Sequence, residues 1–129
     1  MALTVHYSVK ATVVDSAGNV VAEWKPRDIS LTTSGDNYIE GAINTSTTAA
    51  AVPLGSVALG AKSLACFRNM SSTAGENITI QDASASLIDT IILGPGQEAL
   101  CALDATGMAA FTADAATGTP VLKYLLVDP

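Results

Sequence analysis

Charged residues are scarce in this chain. Only 14% of its 129 residues are charged, whereas an average globular domain has about 25%. Six lysines and arginines stand against twelve aspartates and glutamates, so the net charge is −6. Affinity for nucleic acid depends on basic side chains that meet phosphates. The sequence therefore predicts no nucleic-acid partner.

Residues that commonly carry chemistry are also few. The chain has one histidine, His6, and two cysteines, Cys66 and Cys101, and their spacing matches no usual zinc site. It contains no nucleophile motif, and most aspartates lie at turns, where they cap backbone amides. We therefore predict that the protein is not an enzyme and has no catalytic, metal-binding or cofactor-binding residues and no cofactor. The two cysteines are interpreted as buried thiols, with a disulfide as the alternative.

Long apolar runs are missing as well. The mean hydropathy is +0.39, but no run approaches the roughly 20 residues that a membrane-spanning helix needs. The hydrophobicity comes largely from alanine scattered among threonine, serine and glycine, which predicts no membrane partner. The opening "MALTVHYSVK" does not have the basic-then-apolar pattern of a signal peptide. We therefore expect the chain to fold in the reducing cytoplasm.

Short alternating segments dominate what remains. "LTVHYSVKATVV", residues 3–14, alternates apolar and polar side chains, which predicts one half-buried strand. "DSAGN" then gives a five-residue loop to "VVAEW", as in a β-hairpin. About ten such strands follow one another, separated by Gly, Pro, Asn and Asp, with no long amphipathic helix. The sequence predicts an all-β fold, a β-sandwich or jelly roll of about eight to ten short antiparallel strands, in one domain over residues 1–129.

The segment "STTAAAVPLGSVALGAKS", residues 46–63, has no clear period. We interpret it as a loop that crosses an end of the sheet, with a short helical turn at residues 49–54 that proline and glycine then end. No charged residue occurs between residues 45 and 61, so this segment would form an exposed apolar patch in water that favours association. We therefore expect it to pack against a neighbouring subunit or another protein surface.

A Gly-Pro-Gly motif lies in "IILGPGQEALCALD". Glycine-rich turns bind phosphate when a helix follows them, but here no helix-capping residue follows. Gly94-Pro95-Gly96-Gln97 fits a type II turn instead, with proline at its second position and glycine at its third. We predict that this turn joins two adjacent antiparallel strands.

Three segments of the C-terminal half share a pattern of turn residues and strand hydrophobics: "ALGAKSLACFRNMSSTAGENITIQD", "LGPGQEALCAL" and "AATGTPVLKYLLVDP". In these segments the chain resembles a group of small virion proteins from tailed bacteriophages. The chain departs from the pattern of that group in "FRNMSSTAGEN" and in having Gln97 between the glycine and the acid of the turn. The matching positions are turn residues and strand hydrophobics: Gly60, Phe67, Asn69, Ile78, Ile80, Leu93, Gly96, Glu98, Tyr124 and Leu125.

This resemblance implies a structural protein of the phage particle with nothing catalytic. The expected function is capsid cement or decoration, in which the protein bridges major capsid subunits and stabilises the head. Its expected partners are the major capsid protein or other virion proteins and further copies of itself, with a trimer favoured. Its expected location is the virion, assembled in the cytoplasm of the host bacterium. A tail or head–tail connector protein is the alternative, and a carbohydrate-binding β-sandwich module is a weaker one.

Overall fold

The computed structural model of the protein describes residues 3–25, 28–32, 37–59, 63–82, 91–102 and 110–127. Within these ranges the chain is all-β and contains no helix, so the predicted fold class is confirmed; the twelve described strands exceed the eight to ten expected. The strands are β1 (Thr4–Tyr7), β2 (Ala11–Val14), β3 (Val20–Trp24), β4 (Ile29–Thr32), β5 (Tyr38–Asn44), β6 (Ala50–Ala51), β7 (Leu64–Asn69), β8 (Ile78–Asp82), β9 (Ile91–Leu93), β10 (Glu98–Ala102), β11 (Phe111–Ala115) and β12 (Val121–Val127).

Two four-stranded antiparallel sheets form the body of the fold. The first, here called the long sheet, has the strand order β10-β7-β12-β5; the second, the short sheet, has the order β6-β11-β8-β9. Phe67 of the long sheet and Phe111 of the short sheet meet edge to face, with ring centroids 5.1 Å apart and an interplanar angle of 81°. Because these rings come from different sheets, the two sheets face each other as in a β-sandwich.

The core lies between the facing sheets. Alternation in β7, β8, β11 and β12 sends every second side chain inward, as the burial pattern of β8 illustrates. The buried cluster comprises Val52, Val57, Ala65, Phe67, Ile78, Ile80, Leu93, Phe111, Ala113, Leu122, Tyr124 and Leu126. Short alternating segments thus fold as predicted because one face of each strand is covered by the other sheet.

The N-terminal strands lie outside these two sheets. Among the described strands, β1 pairs only with β4 and β2 only with β3, so each pair is a two-stranded sheet of its own. The single strand predicted over residues 3–14 is therefore wrong, since the chain leaves β-structure at residues 8–10 and begins a new sheet. The predicted β2–β3 hairpin is confirmed: Asp15 and Asn19 close its loop by a backbone hydrogen bond of 2.9 Å.

The uncharged segment also differs from expectation. The helical turn predicted at residues 49–54 is wrong, because Ala50 and Ala51 form strand β6 at the edge of the short sheet. Val52 and Val57 point into the core, exposed by only 2% and 5%. Residues 60–62 lie outside the described part of the chain. Val52 and Val57 thus belong to the core cluster, and the backbone N–H of Val52 donates to the carbonyl of Phe111 at 2.9 Å.

Candidate functional site

The Gly-Pro-Gly turn uses its own amide groups. The N–H of Gln97 donates to the carbonyl of Gly94 at 3.0 Å, and Gly96 has a φ of +73°, so the predicted type II turn is confirmed. The N–H of Gly94 donates to Oε1 of Gln97 at 2.7 Å, and that of Gly96 donates to the carbonyl of Asn69 at 3.1 Å. Since proline has no N–H, every amide of residues 94–97 is occupied within the protein, which does not suit phosphate binding.

The strands on either side of this turn belong to different sheets. β9 lies at the edge of the short sheet, whereas β10 lies at the edge of the long sheet. The prediction that the turn joins two adjacent paired strands is therefore wrong. The turn instead carries the chain across one end of the sandwich, a connection that local alternation does not distinguish from a hairpin.

Asn69 ties this end of the sandwich together. Its side chain is fully buried and its amide donates to the carbonyls of Glu76 at 2.8 Å and Leu93 at 3.0 Å. Its Oδ1 accepts the N–H of Ser71 at 3.0 Å, and its backbone N–H donates to the carbonyl of Gln97 at 3.0 Å. A buried amide with all these partners rigidifies the loops around it, so its role here is structural.

The single histidine is a strand residue. His6 and Ser30 are direct partners across β1 and β4, and Nδ1 of His6 lies 3.0 Å from Oγ of Ser30. Both side chains are exposed, and the part of the chain that the structure describes holds no group of three metal-ligating residues. A histidine–serine contact on an open surface gives no enclosed site for a nucleophile and base.

Asp15 lies at the turn between β2 and β3. Oδ1 of Asp15 accepts the N–H groups of Ala17 and Asn19, both at 2.9 Å. The backbone and side chain of Asn19 hold the pKa of Asp15 below its ordinary value. This geometry caps the hairpin turn, as aspartates do at such positions.

The two cysteines lie on opposite faces of the long sheet. Cys66 is the direct partner of Leu100 and Cys101 that of Ala65, and direct partners share a face. Both thiols are free and half-buried rather than fully buried as predicted. Burial raises the pKa of both, and in Cys66 the neighbouring Cys101 and Glu98 raise it further. A raised pKa keeps the thiols protonated and weakly nucleophilic at neutral pH.

A groove of about 550 Å³ lies on the outer face of the long sheet, beneath residues 8–10. Its charged lining residues are paired: Arg68 with Glu98 at 2.5 Å, Lys123 with Glu40 at 3.5 Å, and Lys10 with Glu23 at 3.9 Å. Surface ion pairs of this kind contribute only weakly to the stability of the strands. The groove therefore presents no convergent set of unpaired polar groups of the kind that a small-molecule site uses.

The β2–β3 hairpin presents an exposed apolar surface. Every residue of both strands is exposed, although most of them are apolar. Val13, Val14, Val20 and Val21 are each more than half exposed, and Trp24 is exposed by 68%. A soluble protein rarely leaves a contiguous apolar surface uncovered unless something binds it. The hairpin is therefore the candidate functional site.

The exposed aromatic residues do not form a platform for sugar rings. Trp24 lies on β3 and Tyr38 lies at the start of β5, on separate sheets. A carbohydrate-binding face would place several aromatic rings on one surface, where sugars stack on them. This arrangement does not favour the carbohydrate-binding alternative.

The positions that carry the resemblance have structural roles where the structure describes them. Phe67, Ile78, Ile80, Leu93 and Tyr124 lie in the core. Asn69 and Gly96 hold the end of the sandwich, and Glu98 pairs with Arg68 on its outer face. Gly60 lies outside the described residues. The sequence thus predicts core and turn positions and the hairpin itself, but not that the apolar side chains of "ATVV" and "VVA" are exposed.

No described helix has the length and apolar character that crossing a membrane requires. Comparison of the chain with models of known protein families, with curated proteins and with solved structures gives no match.

Proposed function

We propose that this protein is a structural component of a tailed-bacteriophage virion, a capsid cement or decoration protein. In this role it binds major capsid subunits and holds neighbouring subunits together as a homo-oligomer, with a trimer favoured. The observation that carries the proposal is the exposed apolar β2–β3 hairpin beside a well-packed sandwich. A rigid body with an uncovered apolar arm suits a protein that works by contact with other proteins.

Three further features support this function. The charge density is low, and charged residues are depleted at the centres of protein interfaces. At the end of the sandwich, the side-chain amide of Asn69 is hydrogen-bonded to backbone carbonyls and stabilises the fold. The sequence resemblance of the C-terminal half to phage virion proteins is the reason why the virion is proposed as the assembly to which the protein belongs. Since sandwich folds host many functions, the resemblance and the exposed hairpin carry the proposal, and the fold alone does not.

The experiment is quantitative mass spectrometry of purified virions from the phage that encodes the chain. Isotope-labelled peptides of this protein and of the major capsid protein give their copy ratio. We expect a ratio near one, or another fixed fraction set by capsid symmetry, together with reduced heat resistance of heads that lack the protein. A few copies per particle would support the tail or connector alternative. Absence from washed particles would overturn the virion assignment.

A further inference from the structure

Strand β5 is a long edge strand without the usual protection. It lies at one border of the long sheet, and among the described strands it pairs only with β12. It has seven residues, whereas the other edge strands of the two sheets, β6, β9 and β10, have two, three and five. It contains no proline, and its register with β12 runs without a shift. Regular edges of this kind are templates for pairing with a further strand.

Alternate residues of β5 present their backbone groups at the free edge. The N–H of Thr45 donates to the carbonyl of Pro120, the residue before β12, at 2.9 Å. Because backbone groups alternate in direction along a strand, the odd-numbered residues of β5 bond to β12. The even-numbered residues direct their N–H and C=O groups away from β12: Tyr38, Glu40, Ala42 and Asn44. A further strand can therefore pair with β5 while its bonds to β12 stay in place.

We propose that the strand that pairs with this edge is β5 of a second copy of the chain. The two strands run antiparallel across a twofold axis at Gly41, so that the long sheets of both copies form one continuous sheet. Ile39 of one copy then lies opposite Ile43 of the other, and Glu40 lies opposite Ala42. The inference goes beyond the proposed function and is independent of the virion assignment. Its twofold contact also differs from the trimer that the resemblance favours.

The side chains of β5 determine the position of the axis. Even-numbered residues must pair with even-numbered residues, so the axis lies on a residue of the strand. An axis at Glu40 would place two glutamates directly opposite each other, which is destabilising. An axis at Ala42 would place Ile43 opposite Gly41 and lose the pairing of the isoleucines. The axis at Gly41 avoids both faults and pairs the strand over its whole length.

The symmetry of β5 favours a second copy over an unrelated partner. An antiparallel copy presents the same residues in reverse order, so the apolar positions match only when the strand reads alike in both directions. β5 does so, with an isoleucine two residues before Gly41 and another two residues after it. Ile39 and Ile43 are partly buried and pack against the core, so their pairing extends the apolar row across both copies. An unrelated strand would need only the free backbone groups and would make no use of this symmetry.

Proline substitutions at the two borders of the long sheet test the contact. Ala42→Pro removes an N–H at the free edge of β5 without removing a bond to β12, a position at which edge strands accept proline. Leu100→Pro is the matched control on the opposite border. The N–H of Asn69 donates to the carbonyl of Gln97, so the odd-numbered residues of β10 bond to β7 and the N–H of Leu100 points to the free edge.

Sedimentation velocity over a dilution series measures the self-association of these proteins. We expect the wild type to form a dimer that dissociates on dilution, as small interfaces do. Ala42→Pro should raise the Kd at least about tenfold, whereas Leu100→Pro should keep the wild-type Kd. Far-UV circular dichroism and thermal unfolding confirm that each variant is folded.

Charge variants at residue 42 test the register without proline. Ala42→Glu places a second carboxylate opposite Glu40 of the other copy, so it should raise the Kd about threefold to tenfold. Ala42→Lys places the opposite charge there and should lower the Kd in a salt-sensitive manner. Within one copy the order is reversed, because Lys123 is the strand partner of residue 42. Thermal unfolding of the dilute monomers should therefore favour Ala42→Glu over Ala42→Lys.

Amide hydrogen exchange locates the contact in the wild-type protein. The amides of Glu40 and Ala42 should exchange more slowly in concentrated than in dilute solution, because the second copy accepts their hydrogen bonds. The amide of Leu100, on the opposite border, should exchange at the same rate in both. This measurement uses the purified chain alone, so protection at β5 cannot come from an unrelated partner.

Several results would overturn the inference. These are a wild type that stays monomeric or forms a trimer, an Ala42→Pro variant with the wild-type Kd, a Leu100→Pro variant that dissociates equally, or a Kd that falls with Ala42→Glu and rises with Ala42→Lys. A chain that dimerises but is absent from washed virions would remove the proposed function alone. A virion protein without concentration-dependent protection at β5 would remove this inference alone.

Discussion

The ring of Tyr124 lies directly over Gly41, its strand partner across β12 and β5. The Tyr124 Oη lies 2.6 Å and its Cζ 2.8 Å from the position that a Cβ at residue 41 would occupy. Glycine leaves this position empty, and the aromatic ring fills it from the opposite strand, as aromatic residues do beside strand glycines. This pair holds the edge strand β5 against the core, because Tyr124 is itself only 5% exposed.

Gly41→Ala is therefore expected to destabilise the protein although alanine normally suits a strand better than glycine. The added methyl group would push a rigid buried ring, and such overpacking costs about 1–3 kcal/mol. Chemical denaturation measures the loss. Ala42→Val, on the exposed face of the same strand, is the control and should change stability by less than about 0.5 kcal/mol. If Gly41→Ala unfolded at the wild-type midpoint, the close approach of Tyr124 would be incorrect.

Asn69 gives a second prediction. Asn69→Leu removes the amide that donates to Glu76 and Leu93 and the Oδ1 that accepts from Ser71. Backbone groups left buried without partners cost about 1–3 kcal/mol each, so we expect a loss of at least about 2 kcal/mol. Hydrogen exchange should accelerate at the amides of residues 71 and 97, which lie in the loops it joins. Asn44→Leu, at an exposed asparagine on β5, is the matched control, and an equally small effect of both variants would contradict the role of Asn69.

The thiols predict a dependence of stability on alkaline pH. Burial raises the pKa of Cys66 and Cys101 in the folded state, so folding favours the protonated forms. Their contribution to stability is full below the ordinary thiol pKa and is lost as the pH rises through the higher folded value. The difference in unfolding free energy between the wild type and a Cys66→Ala, Cys101→Ala variant should therefore shrink between neutral and alkaline pH.

Substitution of Glu98 should distinguish the two thiols by the pH at which each is alkylated. Its charge raises the pKa of Cys66, whereas that of Cys101 is raised by burial. Glu98→Gln should thus lower the pH at which Cys66 becomes alkylated by iodoacetamide and leave that of Cys101 in place. Peptide mapping after brief alkylation at a series of pH values measures the two midpoints. Equal movement of both midpoints would mean that the substitution loosens the long sheet as a whole.

The sequence predicted the strands in which apolar and polar residues alternate regularly and the turns that neighbouring residues determine. β7, β8 and β12 alternate because the opposing sheet covers one of their faces, and the Pro-Gly turn follows from the backbone preferences of two residues. The hairpin after Val14 was predicted for the same reason. These features depend on local chemistry, which a single sequence contains.

The errors concern contacts between distant segments. Alternation over residues 3–14 indicates which side chains share a face, but it does not determine whether the chain covers that face, and here Val13 is exposed. The turn at residues 94–97 has the same local sequence whether its strands pair with each other or with different sheets. Asn69 is predicted only as a turn residue, because the carbonyls that it binds come from other loops.

The uncharged segment supplies the last prediction. Its lack of charge predicts an interface, but two of its residues, Ala50 and Val57, have different surroundings in the structure. Ala50 is exposed on β6, whereas Val57 lies in the core at 5% exposure. Burial of an unpaired ammonium group is costly, so Val57→Lys should destabilise the protein by at least about 3 kcal/mol. Ala50→Lys should cost less than about 1 kcal/mol. Thermal unfolding of the two single variants measures the difference in stability. The placement of Val57 in the core would be wrong if both variants unfolded near the wild-type temperature and lost only their association. The segment would then be the interface.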